Sequence, residues 1–423
     1  MTVESIWYAV ILAALAVYVV LDGYDLGIGV LTFAERDPAR RRRMIDLVAT
    51  MWDGNETCLL ISAVGVWAGF PLLFASAVPH LYLGIIAMLV LLAVRGFSFE
   101  MQASSPTYDP LWGTLFGIAS GLVAFIQGTM AGALLKGVTP IGQLTGSISP
   151  LGFLDTFTLC SGLAVVALYS LAGAAWLVHK TDGELGVSAG RAGRFLVPVT
   201  AVFLVLAGVL YFASDRNLAA THHPATAVAL VLTVVACLLT AGAFFAFRRR
   251  GREWLPFVCV VAATVCGTAA VPLGLYPIVL SPGMTLNEAS APSGTLHFVL
   301  GWMGGFLVLF AAYTVWAYRV FRGKFAGYDV EKAIPLGSVA MGGGHVRAVA
   351  PPLPWPARIL AVVLVVALWA GALLIAQMTF TAYSEWGNWA AVFALALVMV
   401  AAWVLAGRRE PQPDAADPAA ALE

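Results

Sequence analysis

Apolar residues fall in long unbroken blocks along this chain, and polar residues collect in the short stretches between them. A helix needs about 20 mostly apolar residues to cross a bilayer. Eleven such blocks are legible, near 6–31, 56–78, 80–99, 112–136, 152–178, 195–213, 225–247, 254–274, 294–320, 357–378 and 388–406. None reads as the short alternating segments of a membrane β-barrel. The pattern predicts an all-α, polytopic membrane protein with about eleven transmembrane helices. The first block has no basic run before it and no small-residue cleavage site after it. It is therefore expected to stay as a membrane helix rather than to act as a removable signal.

Composition agrees. Of 423 residues, 61% are hydrophobic and 11% charged, with a mean hydropathy of +0.89. A soluble domain carries about 25% charged residues, so this chain cannot clothe its surface for water and a soluble globular protein is excluded. The zero net charge gives no positive field to hold phosphates, which excludes a nucleic-acid partner.

Position says more than the total. One set of alternate loops holds Arg36 and Arg40–Arg43, then Lys180, Arg191 and Arg194, then Arg248–Arg250 and Arg252. The same side carries the residues after the ninth block, from Arg319 to Arg358, and Arg408 and Arg409. The other side holds only Lys136 and Arg216, which makes about 20 basic residues against 2. By the positive-inside rule the basic side is cytoplasmic. The N-terminus is then expected outside and the C-terminus in the cytoplasm. Gly342-Gly343-Gly344 and Pro351-Pro352 mark residues 327–356 as a cytoplasmic linker. It divides a nine-helix core, 1–326, from an additional helix pair, 357–408, and a disordered tail, 409–423.

The five cysteines, Cys58, Cys160, Cys237, Cys259 and Cys266, form no CxxC pair and read as small buried hydrophobes. Of the histidines, His80, His222, His223 and His297 fall near the outer face and His179 and His345 near the inner. None lies in mid-helix opposite another, so no haem held by this chain is predicted. Tyrosine and tryptophan suit interface belts.

Acids and one arginine inside the blocks carry the candidate chemistry, because a charge at membrane depth costs about 2.5–3.5 kcal/mol to insert. Asp22 and Asp25, in Leu21–Gly29, share a helix face, and two carboxylates that close favour sharing one relayable proton. Read more plainly, they are solvated acids at a helix end. Gly23, Gly27 and Gly29 would admit a neighbouring helix. Asp53 and Glu56, in Trp52-Asp53-Gly54-Asn55-Glu56-Thr57, have the form of a helix N-cap with its capping-box acid, and such a cap would still place carboxylates on a path. Arg95 and Glu100 do not share a face; Arg95 either neutralises Asp25 or Asp53 or snorkels to the interface. Asp155 and Glu288 read as caps or loop acids.

These motifs resemble subunit II of the bd-type quinol oxidases and lean toward the cyanide-insensitive branch. Further matches follow in order: Arg95-Gly96-Phe97-Ser98-Phe99-Glu100, Phe125-Ile126-Gln127-Gly128, Tyr276-Pro277-Ile278-Val279, and Ala311–Lys324 with Tyr313 and Phe321-Arg322-Gly323-Lys324. The resemblance covers roughly residues 6–326. It implies two four-helix bundles plus a peripheral helix, to which the C-terminal pair would be an addition. It implies a complex that oxidises quinol and reduces dioxygen to water. The haems, two of b type and one of d or b type at the oxygen site, would belong to the partner subunit I, and this chain would bind none directly. Subunit II would supply a cytoplasmic proton path through Asp25, Trp52, Asp53, Arg95 and Glu100, with Asp22 in the same motif and Glu56 beside it. Some members hold a structural quinone or a small accessory subunit, and lipid is a further partner. The sequence departs from the family at Cys58, where Trp is usual near an oxygen entry path, and at Gln102, near a usual basic residue. The competing readings are a proton-coupled secondary transporter, which would be expected to show paired broken helices, and a purely structural partner subunit.

Overall fold

The computed structural model describes residues 2–49, 51–104, 109–143, 147–213, 224–249, 251–280, 283–320 and 323–324. The chain separates into two units, Met1–His345 and Val346–Glu423, and the described residues belong to the first. The expected linker, helix pair and tail lie outside the described residues, as do His222, His223 and His345.

Nine long helices correspond to the nine blocks expected before the linker. They are α1 (Val3–Leu31), α3 (Trp52–Gly69), α4 (Pro71–Ser104), α5 (Pro110–Lys136), α6 (Thr156–Lys180), α7 (Gly183–Phe212), α8 (Pro224–Ala246), α9 (Leu255–Leu275) and α11 (Ser293–Val320). All but α3 are long and apolar enough by themselves to cross a membrane; α3 opens on a polar turn. Two shorter helices, α2 (Pro38–Val48) and α10 (Leu286–Ala289), and a two-stranded antiparallel ribbon, β1 (Ile278–Leu280) with β2 (Met284–Thr285), fill loops.

The starts are written in local chemistry. Asp37 and Asp109 accept from the N–H groups of Ala39 and Leu111, each followed by a proline at the first helical position, where no N–H is missed. Asp155 and Thr158 form a reciprocal capping box on α6, and Thr285 with Glu288 forms one on α10, as expected for those two acids.

Three local expectations fail. The break between the second and third blocks lies at Phe70, not near residue 79. Pro71 opens α4 at no hydrogen-bond cost, whereas Pro79 sits inside it and removes one bond. Asp53 is not an N-cap: Met51 holds that place with no side-chain cap, and Asp53 lies in the first turn of α3. Cys58 and Cys160 are buried, but Cys237 is exposed on α8. In addition, the arginine-rich stretch taken for a loop is helix α2, which buries Met44, Ile45, Leu47 and Val48.

The long helices pack as two rings of four. In the first, α1 meets α3 and α5, and α4 closes the ring; in the second, α6 and α7 face α8 and α9. Helix α11 packs chiefly on the α1 and α3 flank of the first ring, as a peripheral helix, and its Tyr318 also meets Trp176 of α6. The rings join along α1 and α6. A Cβ on Gly27 would lie 1.7 Å from the carbonyl oxygen of Tyr169, and one on Gly173 would lie 2.6 Å from the backbone nitrogen of Ile28. Only glycine permits so close a crossing.

Loops assigned to the basic side meet at one end of the molecule. Arg40, after α1, pairs with Glu184 at the start of α7. Lys324, after α11, pairs with Asp182 and with Glu253, which precede α7 and α9. Lys136 pairs with Asp155 on the other side. The eight candidate spans together with α3 would alternate in this way.

Glu35, in the turn between α1 and α2, anchors the basic end. One carboxylate oxygen accepts from the N–H of Arg36 at 2.8 Å, the N–H of Asp37 at 3.0 Å and Arg40 Nη2 at 2.9 Å. Burial works to raise its pKa, but these bonds outweigh burial and hold it below the ordinary carboxylate value. A depressed pKa adds stability that is present above the unfolded value of about 4.3 and lost as pH falls through the folded one. Glu35→Gln is expected to cost about 1–2 kcal/mol at neutral pH, with the difference from wild type shrinking below about pH 4. Thermal unfolding of the purified protein across pH checks this. At the bundle seam, Gly27→Val is expected to abolish accumulation of folded chain in the membrane. Gly267→Ala, where nothing lies within 4 Å of the added carbon, should leave the yield of detergent-extracted protein unchanged.

Candidate functional site

The acids of α1 lie where that helix is most enclosed, between the two rings. Asp22 and Asp25 are both 0% exposed. Arg95, from α4, is also 0% exposed and donates from Nη1 to Asp22 Oδ1 at 2.8 Å. Asn55, from α3, donates to Asp25 Oδ2 at 2.7 Å. Each acid is thus held by a different helix of the first ring.

The polar groups continue on both sides. On one side, Asn55 Nδ2 also reaches the Tyr24 hydroxyl at 3.1 Å, Tyr318 of α11 donates to Asn55 Oδ1 at 3.1 Å, and the two tyrosine hydroxyls touch. On the other, Gln127 of α5 donates to the Tyr18 hydroxyl and accepts from Tyr169 of α6 at 3.2 Å. Aromatic rings seal the cluster. Trp52 stacks on Phe99, the Arg95 guanidinium lies 5.8 Å from the Phe99 ring centre, and Trp176 stacks on Tyr24.

Several atoms inside this shell have no hydrogen-bond partner among the described residues: Asp22 Oδ2, Asp25 Oδ1, and Arg95 Nε and Nη2. Buried polar atoms are nearly always satisfied, so these four stand out within the cluster. A cleft of about 240 Å³ between the start of α3 and the end of α11 runs inward to Asn55 and Tyr318, with Trp52 and Asp53 at its wall.

The profile of the cytochrome bd terminal oxidase subunit II family matches residues 3–321. The chain belongs to that family. It is similar to a protein described as a probable cytochrome oxidase subunit 2 in Haemophilus influenzae, with 26% identity over 77% of this chain and 96% of that one. It is 27% identical to the cytochrome bd-I ubiquinol oxidase subunit 2 of Escherichia coli over the same shares. Among solved structures, the bd oxidase from Geobacillus thermodenitrificans shares the fold, with a TM-score of 0.61 and 16% identity over 76% of this chain and 99% of that one.

In this subunit II the seven residues singled out from the sequence separate into two groups. Asp22, Asp25 and Arg95 come together in full burial. Half-buried Glu56 lies within electrostatic reach of Arg95 and Asp22, and Trp52 covers the arginine's end of the group. Asp53 and Glu100 do not join them; both are exposed at the basic end. Arg95 neither snorkels nor contacts Asp53, and its ion-pair partner is Asp22 rather than Asp25. The reason is geometric: the long Arg95 side chain reaches from α4 to Asp22 on α1, and Asp53 is exposed in the first turn of α3.

Sequence reading missed Asn55, Tyr24, Tyr318, Tyr18, Tyr169 and Gln127 as members of the cluster. Gln127, a lone amide in an apolar block, was the one available signal. The tyrosines were indistinguishable from interface belts. Removing Arg95 alone (Arg95→Leu) should destabilise the subunit by about 3–5 kcal/mol, because it strands buried carboxylates. Adding Asp22→Leu should recover part of that loss, giving a double-mutant coupling measurable as yield of folded subunit.

Proposed function

We propose that this chain is the haem-free subunit II of a bd-type complex that oxidises quinol and reduces dioxygen to water. It pairs with a haem-bearing subunit I and delivers protons to it from the cytoplasmic side. The reading places the N-terminus outside and the basic end in the cytoplasm of a bacterial plasma membrane, following the charge asymmetry.

One observation carries the proton-path reading. Two carboxylates on one face of α1 share full burial with a single guanidinium, and each keeps one oxygen without a hydrogen-bond partner among the described residues. Asp22 and Arg95 neutralise each other. Asp25 accepts its hydrogen bond from a neutral amide rather than from the guanidinium, so a proton would balance its charge in a low-dielectric interior. A carboxyl that gains and loses a proton beside unsatisfied polar atoms is what a relay needs. Asp53 and Glu100, exposed at the basic end, stand where acids would collect protons from water.

The haems are assigned to subunit I by the family resemblance, and no step here runs through them. The Nδ1 atoms of His80 and His297 bond carbonyls one turn back, and His179 stacks on Phe257. Met88 and Met130 pack in an apolar cluster.

In the assembled complex, Asp25→Asn is expected to lower quinol oxidation by at least about tenfold while the reduced-minus-oxidised haem spectrum survives. Asp53→Asn should lower it less, because an exposed collector is shared with its neighbours. Full activity in both variants would refute the path and favour a purely structural subunit.

A further inference from the structure

The acids need an entrance, and the one the geometry points to is built on the peripheral helix. The cleft between α3 and α11 counts Asn55 and Tyr318 among its lining residues. Asn55 is 1% exposed and makes three contacts inside the cluster, to Asp25, Tyr24 and Tyr318. Tyr318 is partly exposed and lines the cleft, while its hydroxyl bonds Asn55 and meets Tyr24 inside the cluster.

We propose that the Tyr318 hydroxyl, backed by Tyr24, is the proton-loading relay for Asp25, and that Asn55 is the positioning residue that fixes which oxygen of Asp25 is loaded. The inference rests on the proton-path reading above and adds its entry point. An amide is a poor proton carrier, but it is a rigid holder. Its N–H occupies Asp25 Oδ2, which leaves Oδ1, the oxygen with no partner, to take the proton. The hydroxyls carry it. With its hydroxyl turned from Asn55 Oδ1 toward Tyr24, Tyr318 takes a proton from cleft water at Oη and releases its own across the contact to Tyr24, and Tyr24 releases its own in turn. Tyr24 Oη and Asp25 Oδ2 both bond Asn55 Nδ2, so they stand no more than about 6 Å apart, and Oδ1 belongs to the same carboxylate, a reach that one or two waters bridge. Each hydroxyl takes one proton and gives one, and the only net change is a protonated Asp25.

The arrangement explains a feature that packing leaves open. Helix α11 buries little of its own surface, with only Leu296 and Ala317 enclosed. Yet its Tyr318 reaches across the first ring to Asn55 and Tyr24.

The test uses the assembled two-subunit complex, with the haem spectrum as the control for assembly. Tyr318→Phe keeps the ring and removes the hydroxyl. The expected result is a three- to tenfold fall in kcat, an unchanged KM for quinol, and a larger solvent deuterium isotope effect on kcat. A role in packing alone would not enlarge that isotope effect. A second variant blocks the cleft: a Cβ on Gly54 meets nothing closer than 3.9 Å, so Gly54→Leu is tolerated by the fold and should give the same kinetic signature. If Tyr318→Phe does not assemble, Gly54→Leu alone decides. Wild-type kcat and isotope effect in the assembled variants, with Asp25→Asn slow, would overturn this entrance and leave the path standing. If Asp25→Asn is also at wild-type rate, the path reading itself fails.

Discussion

A guanidinium with no access to water must be held by a carboxylate, and here that constraint locks the first ring of helices in register. Arg95 enters from α4 and finds Asp22 on α1. The pair is isolated from solvent only because α6 presses against the other side of α1, at a contact where glycine replaces a side chain. Sliding α1 by one turn, about 5.4 Å, would separate the charges and push a side chain into the Tyr169 carbonyl at once. The electrostatic and steric constraints therefore select the same register, and the polar network inherits its geometry from both.

The same logic operates at the basic end without burial. Lys324 is pinned by Asp182 and Glu253 and also reaches the carbonyls of Val178 and Thr181, while Lys180 reaches back to the carbonyl of Gly323. Exposed ion pairs contribute little individually, about 0–1 kcal/mol. Their value here is positional: they tie the ends of α6, α9 and α11 into one surface. The peripheral helix has few apolar contacts to fix its depth, and this clasp sets the height at which Tyr318 meets Asn55.

Much of this was legible in the sequence because the bilayer imposes a coarse code. Nine apolar blocks became nine long helices, and the loop charges alternated without conflict because a helix can only cross and return. The pairing of Asp22 and Asp25 followed from helical spacing alone. What escaped the sequence depended on depth and on partners from other helices. Asp53 and Glu56 look equivalent in the string, yet the first faces water and the second is half enclosed, since three residues of helix do not bring them to the same depth. The break at Phe70 escaped because two prolines, Pro71 and Pro79, offer the same local signal. The choice falls to tertiary packing, where Phe70 is buried beside Trp7 and the ribbon residues Leu280 and Met284.

The tyrosines make the point most sharply. In a membrane sequence the prior for tyrosine is the interface, and only the fold distinguishes a hydroxyl facing headgroups from one facing a carboxylate. Tyr18, Tyr24 and Tyr169 are each less than 5% exposed, and a buried hydroxyl seeks a partner. The partners available in this interior are the amides Gln127 and Asn55 and the neighbouring acids. Two amides flanking an acid pair divide the network at α1 into a limb that opens on the α3–α11 cleft and a limb that closes on α5 and α6. A network open at one limb gives the proposed path a direction: protons would enter where water reaches, and the enclosed acids would hold them.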